Sequence, residues 1–203
     1  DKGLDYGINF GLTMEFIVRL AKELGEDGLL ASYLLSRDVR ELQLIGQQIY
    51  PASCLNFSIA TALAERSMPN PELRDCLCKN LFDRNTMLPQ YALAWLMQAR
   101  YKDLSTIAYT TLARHFTFGY KFAHKSWEQC LLRCAFKTLD EDAPYMTSEQ
   151  RAALLMLKRW GRSDKDIQAQ ILQAPEFVRW ETSGSCLFGE YVDDIKFEFS
   201  YEG

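Results

Sequence analysis

Apolar residues recur along this chain with a period near 3.6, and each periodic stretch opens on a residue suited to cap a helix. The pattern predicts helices over about residues 13–24, 27–35, 38–50, 56–66, 70–82, 89–100, 102–116, 126–139, 148–160 and 163–174. Two starts are specified by more than periodicity. Asn70 precedes Pro71 and Glu72, a capping side chain followed by a Pro at the first helical position. Thr147 and Gln150 have the spacing of a capping box. Connections are short, so successive helices are expected to be antiparallel neighbours. Taken in pairs they start near residues 13, 38, 70, 102 and 148, a loose αα repeat of 25 to 46 residues. Past Gly184 the helical period is lost. Ile195, Phe197, Phe199 and Tyr201 alternate with Lys196, Glu198, Ser200 and Glu202 as in a half-buried strand. With Cys186-Leu187-Phe188 they predict a terminal hairpin, docked on the last helices as a cap.

The expected fold is therefore all-α. It is a right-handed α-α superhelix of HEAT- or armadillo-like repeats over residues 1–183, with a strand-like extension over residues 184–203. Composition agrees: 203 residues with 48% hydrophobic content bury a sizeable core, which excludes disorder. Charged residues make up 25% of the chain and no apolar stretch nears the ~20 residues of a membrane span. Cys54, Cys76, Cys78, Cys130, Cys134 and Cys186 sit in a long, core-rich chain with no secretory pattern at its visible start. They read as reduced thiols of a cytoplasmic protein rather than as a disulfide framework.

Several chemistries lack their residues. The 11 glycines are scattered through helix boundaries, with no phosphate-cradling loop. His115 and His124 are the only histidines and neither sits in a nucleophile or metal motif. Cys76-x-Cys78 is a poor zinc spacing. Cys130 and Cys134 project with Trp127 and Leu131, where thiols act as small core residues. No cofactor and no metal are expected.

The segment Leu4-Asp5-Tyr6-Gly7-Ile8-Asn9-Phe10-Gly11-Leu12, followed by a helix carrying Arg19, Leu20, Ala21 and Lys22, resembles the opening of the DNA alkylation repair (AlkD-like) family. Asp38-Val39-Arg40-Glu41-Leu42 is similar to a later helix start of that family. The run from Pro69 to Phe82 is similar to its helix ending in Asn-Leu-Phe, and Ala92 to Leu96 and Leu112-Ala113-Arg114 fit the two helices that follow. The resemblance covers about residues 3–175 and fails over the tail. It implies a superhelix whose concave face takes duplex DNA, and an activity that releases cationic alkylated purines. A cationic base is already a good leaving group, so what helps is a carboxylate beside the sugar, stabilising developing positive charge and orienting water.

The resemblance places that carboxylate at Asp75, flanked by Cys78, Lys79 and Phe82 and nearly opposite the apolar face of Leu73, Cys76, Leu77 and Leu81. The plainer alternative is an exposed pair between Asp75 and Lys79, four residues apart on one helix. Two departures count against excision. Pro71 stands where active members have a Trp one turn before the Asp, and Thr106 stands near their groove-facing Arg. Lys102, one turn before Thr106, is a substitute cation without a planar fork, and Arg114 is a weaker one. Trp95, Trp127, Trp160 and Trp180 read as core.

The chain holds 23 basic and 27 acidic residues, a net charge of -4, which by itself disfavours nucleic acid. The distribution changes that: residues 94–137 carry 7 basic against 2 acidic residues. Lys102, Thr106, Arg114, Lys121 and Lys125 are the candidate DNA contacts there, with Lys79 beside Asp75; interleaved aromatics offer stacking, and a solvated helix face with aromatic core neighbours is the equal alternative. DNA is the expected partner. The competing expectation is a non-catalytic scaffold that binds a protein or a structured nucleic acid.

Overall fold

A computed structural model describes residues 6–141 and 145–200. Among them, regular structure is helical apart from one parallel bridge between Ile8 and Val39. The start of the family-like opening, at Leu4-Asp5, and the Tyr201-Glu202 end of the alternating tail lie outside the described residues. No described helix is long and apolar enough to cross a membrane. The chain divides into two compact units, residues 1–91 and 92–203.

The first unit contains α1 (Met14–Leu24), α2 (Gly28–Leu35), α3 (Arg40–Ile49), α4 (Phe57–Ser67) and α5 (Pro71–Asn80). Caps set most of these starts. Asp27 accepts from Leu29 N and Leu30 N at 2.9 Å, Asn56 from Ile59 N at 3.0 Å, and Asn70 from Glu72 N at 3.0 Å. Each such cap contributes ~1 kcal/mol. α3 is the centre: it packs on α1, α2 and α5, and buries Leu44, Ile45 and Ile49. Gly46 lets α2 approach closely, because a Cβ there would lie 2.8 Å from Leu35 Cγ and 3.1 Å from the Ala31 carbonyl.

The segment before α1 is fastened by charge. Arg40 donates from Nε and Nη2 to both oxygens of Glu72, at 2.8 and 2.6 Å, and from Nη1 to the Leu12 carbonyl at 2.9 Å. The buried Glu41 carboxylate accepts from Phe10 N at 3.1 Å, Leu12 N at 3.2 Å and Arg40 Nη1 at 3.3 Å. Tyr6 donates to Glu72 at 2.6 Å, and burial together with this carboxylate raises the phenol's pKa. The family-like opening is thus a strap tied to α3 and α5 by a charged network.

The second unit follows a division that falls within α6 (Leu88–Met97). Residues Ala99–Leu104 form a 3-10 turn, and then come α7 (Ser105–Thr117), α8 (Lys125–Leu139), α9 (Ser148–Ser163), α10 (Lys165–Gln173), α11 (Pro175–Thr182) and α12 (Cys186–Ser200). α9 is the hub and packs on α7, α8, α10 and α12. Its start is the expected capping box: Gln150 N donates to Thr147 Oγ1 at 3.1 Å and Thr147 N to Gln150 Oε1 at 3.0 Å. Phe116 stacks on Trp160 with ring centroids 4.6 Å apart and planes 3° apart. Trp180 sits among Phe136, Phe177, Phe188 and Tyr191, and its indole N–H donates to Asp140 at 2.7 Å. Besides these hubs, α4 packs on α5 in the first unit, and α11 packs on α10 and α12 in the second.

Three expectations are corrected. The tail is not strand-like, because residues 186–200 form α12. Tyr191, Val192, Ile195 and Phe199 are its buried residues, a spacing of one, four and eight that fits a helix, and α9 and α11 offer the face to cover them. Ile195 and Phe199 belong to both periods, so among the described residues of that set the helix leaves Phe197, 61% exposed, on the wrong side. Salt bridges from Lys158 to Asp194 and from Arg159 and Arg162 to Glu198 fix its register. The second correction is at Lys102, which lies on the 3-10 turn Ala99–Leu104 and not on the α-helix of Thr106, which starts only at Ser105. The third concerns the aromatics interleaved with the cations. Tyr109, Phe116 and Phe122 are buried, so they build the core rather than a stacking platform.

Candidate functional site

The sequence-predicted residues separate into different surroundings. Asp75 is in the middle of α5 with its side chain 70% exposed, and its Oδ1 lies 3.9 Å from Arg74 Nε. Its expected flank is altered: Cys78 and Phe82 are fully buried in the core. Lys79 is exposed in the last turn of α5, and no ion pair joins it to Asp75 among the described residues. Pro71 opens α5 behind the Asn70 cap and so performs a helix-starting role.

In the second unit, Thr106 is half-buried in the first turn of α7, where its carbonyl accepts from Thr110 Oγ1 at 2.8 Å. Arg114 is half-buried in the last turn, where a cation complements the helix dipole. Lys121 is exposed and donates to Asp164 at 2.9 Å, a bond that raises the ammonium's pKa and lowers that of the carboxyl. Lys125 is exposed at the first residue of α8.

One groove, of about 410 Å³, gathers several of the remaining groups. The end of α6 and the 3-10 turn give Leu96, Met97 and Lys102, α7 gives Ser105 and Tyr109, and α8 gives Cys130, Arg133, Cys134 and Lys137. Glu141 and Glu149 complete it, so three cations face two carboxylates. The α8 residues recur at intervals of three and four, and therefore share one face of that helix. This periodicity is the signal by which Arg133 and Lys137 could have been grouped on one face from the sequence.

The groove's electrostatics follow from its partial burial. Burial is the largest influence on Glu149 and raises its pKa, opposed by a hydrogen bond with Ser105 and by the charge of Lys102. Burial raises the Cys134 thiol, and its Sγ lies 4.0 Å from the Leu96 carbonyl. Tyr109 forms the floor, bonded to Thr138 Oγ1 at 3.0 Å, with its phenol pushed up by burial. The arrangement offers an anion Lys102, Arg133 and Lys137, and offers a hydrogen-bond donor the half-buried Glu149. All six cysteines are free thiols, and among the described residues no three metal-ligating side chains converge. No family model, curated protein or solved structure matches the chain.

Proposed function

We propose that this chain is a diverged helical-repeat protein of the DNA alkylation repair (AlkD-like) kind, which binds duplex DNA through its second unit. The observation that carries the proposal is the convergence of Lys102, Arg133 and Lys137 on one groove. Phosphate contacts need clustered cations, and these come from two separate segments brought together by folding. The packing of sequence neighbours such as α2 on α3 and α8 on α9, and of alternate helices such as α1 on α3 and α7 on α9, supports the repeat reading and with it the α-α superhelix. Glu141 and Glu149 line the same groove, so binding is weak, and three cations set a modest slope of about -3 for log K against log salt.

Excision of cationic purines is the second step of this reading, and Asp75 is its carboxylate. Its exposure leaves it open to a large ligand, but an exposed carboxylate interacts with developing charge through water. That exposure and the Pro71 helix start favour a non-catalytic form of the same DNA-binding protein.

Anisotropy of a labelled duplex over a salt series tests the binding step. Lys137→Ala is expected to reduce the slope of log K against log salt by about 1, while Lys121→Ala, at a lysine paired with Asp164, leaves it unchanged. No duplex binding at low salt refutes the proposal. Single-turnover release of 7-methylguanine or 3-methyladenine, abolished by Asp75→Asn, tests the excision step. Binding without release leaves the non-catalytic form.

A further inference from the structure

The groove in the second unit has more in it than a phosphate contact requires. Its volume of about 410 Å³ falls within the range of small-molecule sites. Leu96, Met97 and Cys134 give it apolar wall, and Glu149 and Ser105 give it a half-buried acceptor and a hydroxyl. Arg133 and Lys137 stand four residues apart on α8, ~6 Å between their Cβ atoms, close enough for both long side chains to reach one phosphate.

We propose that this groove receives one nucleotide unstacked from the bound strand, its phosphate on Lys102, Arg133 and Lys137 and its base between the apolar wall and Glu149. The inference rests on the DNA-binding reading and deepens it. A duplex held only by its backbone needs no cavity behind the cations. A base turned out of its stack needs a space of this size, apolar contact for its faces, and a polar partner for its edge. Glu149 accepts from a base amino group, so the site takes adenine or cytosine in preference to thymine, which has no amino group.

The groove carries its own reporters. Cys130 and Cys134 are half-buried thiols that line it, whereas Cys54 and Cys186 are exposed and do not. The experiment measures N-ethylmaleimide labelling of each cysteine by mass spectrometry, with the full chain and each DNA held at equal occupancy by anisotropy. The DNAs are a fully paired duplex, the same duplex with one bulged adenine, and the same with one bulged thymine. At about ten times the Kd of the adenine-bulged duplex, labelling of Cys130 and Cys134 is expected to slow roughly tenfold. Cys54 and Cys186 are expected to label at the rate of free protein. The fully paired duplex is expected to protect the groove thiols much less, and Glu149→Gln to remove the preference for adenine over thymine. Equal protection by paired and bulged duplexes overturns the inference but leaves backbone binding standing. Failure of every duplex to bind by anisotropy refutes the DNA-binding reading itself.

Discussion

Glu41 offers the sharpest test of what holds the first unit together. Its carboxylate is buried and accepts from the backbone N–H groups of Phe10 and Leu12 and from Arg40. Glu41→Gln preserves shape but removes the charge, and its NH2 group must face one of the donors that the carboxylate satisfied. A hydrogen bond to a charged group contributes about 1.5–3 kcal/mol, and an unmatched buried donor costs about 1–3 kcal/mol. One of the two backbone bonds survives on the amide oxygen, and Arg40 keeps Glu72 and the Leu12 carbonyl. The net loss is about 3 kcal/mol, equivalent to an opening equilibrium about 150-fold more favourable.

Hydrogen exchange at the Phe10 and Leu12 amides reads that opening directly. The four tryptophans all belong to the second unit, so tryptophan fluorescence serves as a control that is expected not to change. The pH dependence has a defined sign. Burial pushes the Glu41 carboxyl up, but the backbone donors and Arg40 outweigh it and hold the group below its ordinary value of 4.5. A depressed carboxyl contributes stability that is full above the ordinary value and is lost as pH falls through the folded one. The glutamine variant has no such loss, so its difference from wild type should narrow from about pH 4.5 downward. Exchange at Phe10 and Leu12 within about twofold of wild type at neutral pH would refute the reasoning, since a cost that small lies below ~0.5 kcal/mol.

Two further substitutions test the second unit. A Cβ at Gly161 would lie 2.2 Å from the Phe199 ring, so Gly161→Ala is expected to cost about 1–3 kcal/mol and to loosen α12. Phe199→Leu in the same chain should recover part of that cost in urea melts followed by tryptophan fluorescence, and a purely additive double mutant would contradict the packing. Tyr191 is fully buried and its hydroxyl has no partner among the described residues, so Tyr191→Phe should raise the melting midpoint, with a gain of up to about 1 kcal/mol. A lowered midpoint would mean that the hydroxyl has a partner.

The two units differ in how much of them the sequence displays. α5 was legible because local signals agree: Asn70 caps, Pro71 fixes the first helical φ, and Leu73 and Leu77 repeat on the buried face. The capping box of α9 was legible for the same reason. α12 was not, because Ile195, Phe197 and Phe199 fit a two-residue period and the helical choice is made by α9 and α11, which a local pattern does not contain. α11 was missed although Pro175 occupies its first helical position, since the stretch that follows is short. The charged strap was also invisible. Nothing local joins Glu72 to Arg40 and Tyr6, and that network exists only once α3 and α5 pack.

The candidate site shows the same division more sharply. Residues 94–137 are basic as a segment, yet a segment is not a surface. Folding brings Asp164 to Lys121, 43 positions away, and pairs that lysine's charge with a carboxylate. It buries Tyr109 and Phe116, which removes them as exposed stacking partners. It also turns Arg133 and Lys137 onto the groove that holds Lys102, while bringing Glu141 and Glu149 to the same walls. Over that cavity the positive segment is reduced to a small excess of charge. On the proposed DNA-binding reading, a groove balanced in this way would hold a strand loosely by its backbone, and discrimination would have to come from what enters the cavity.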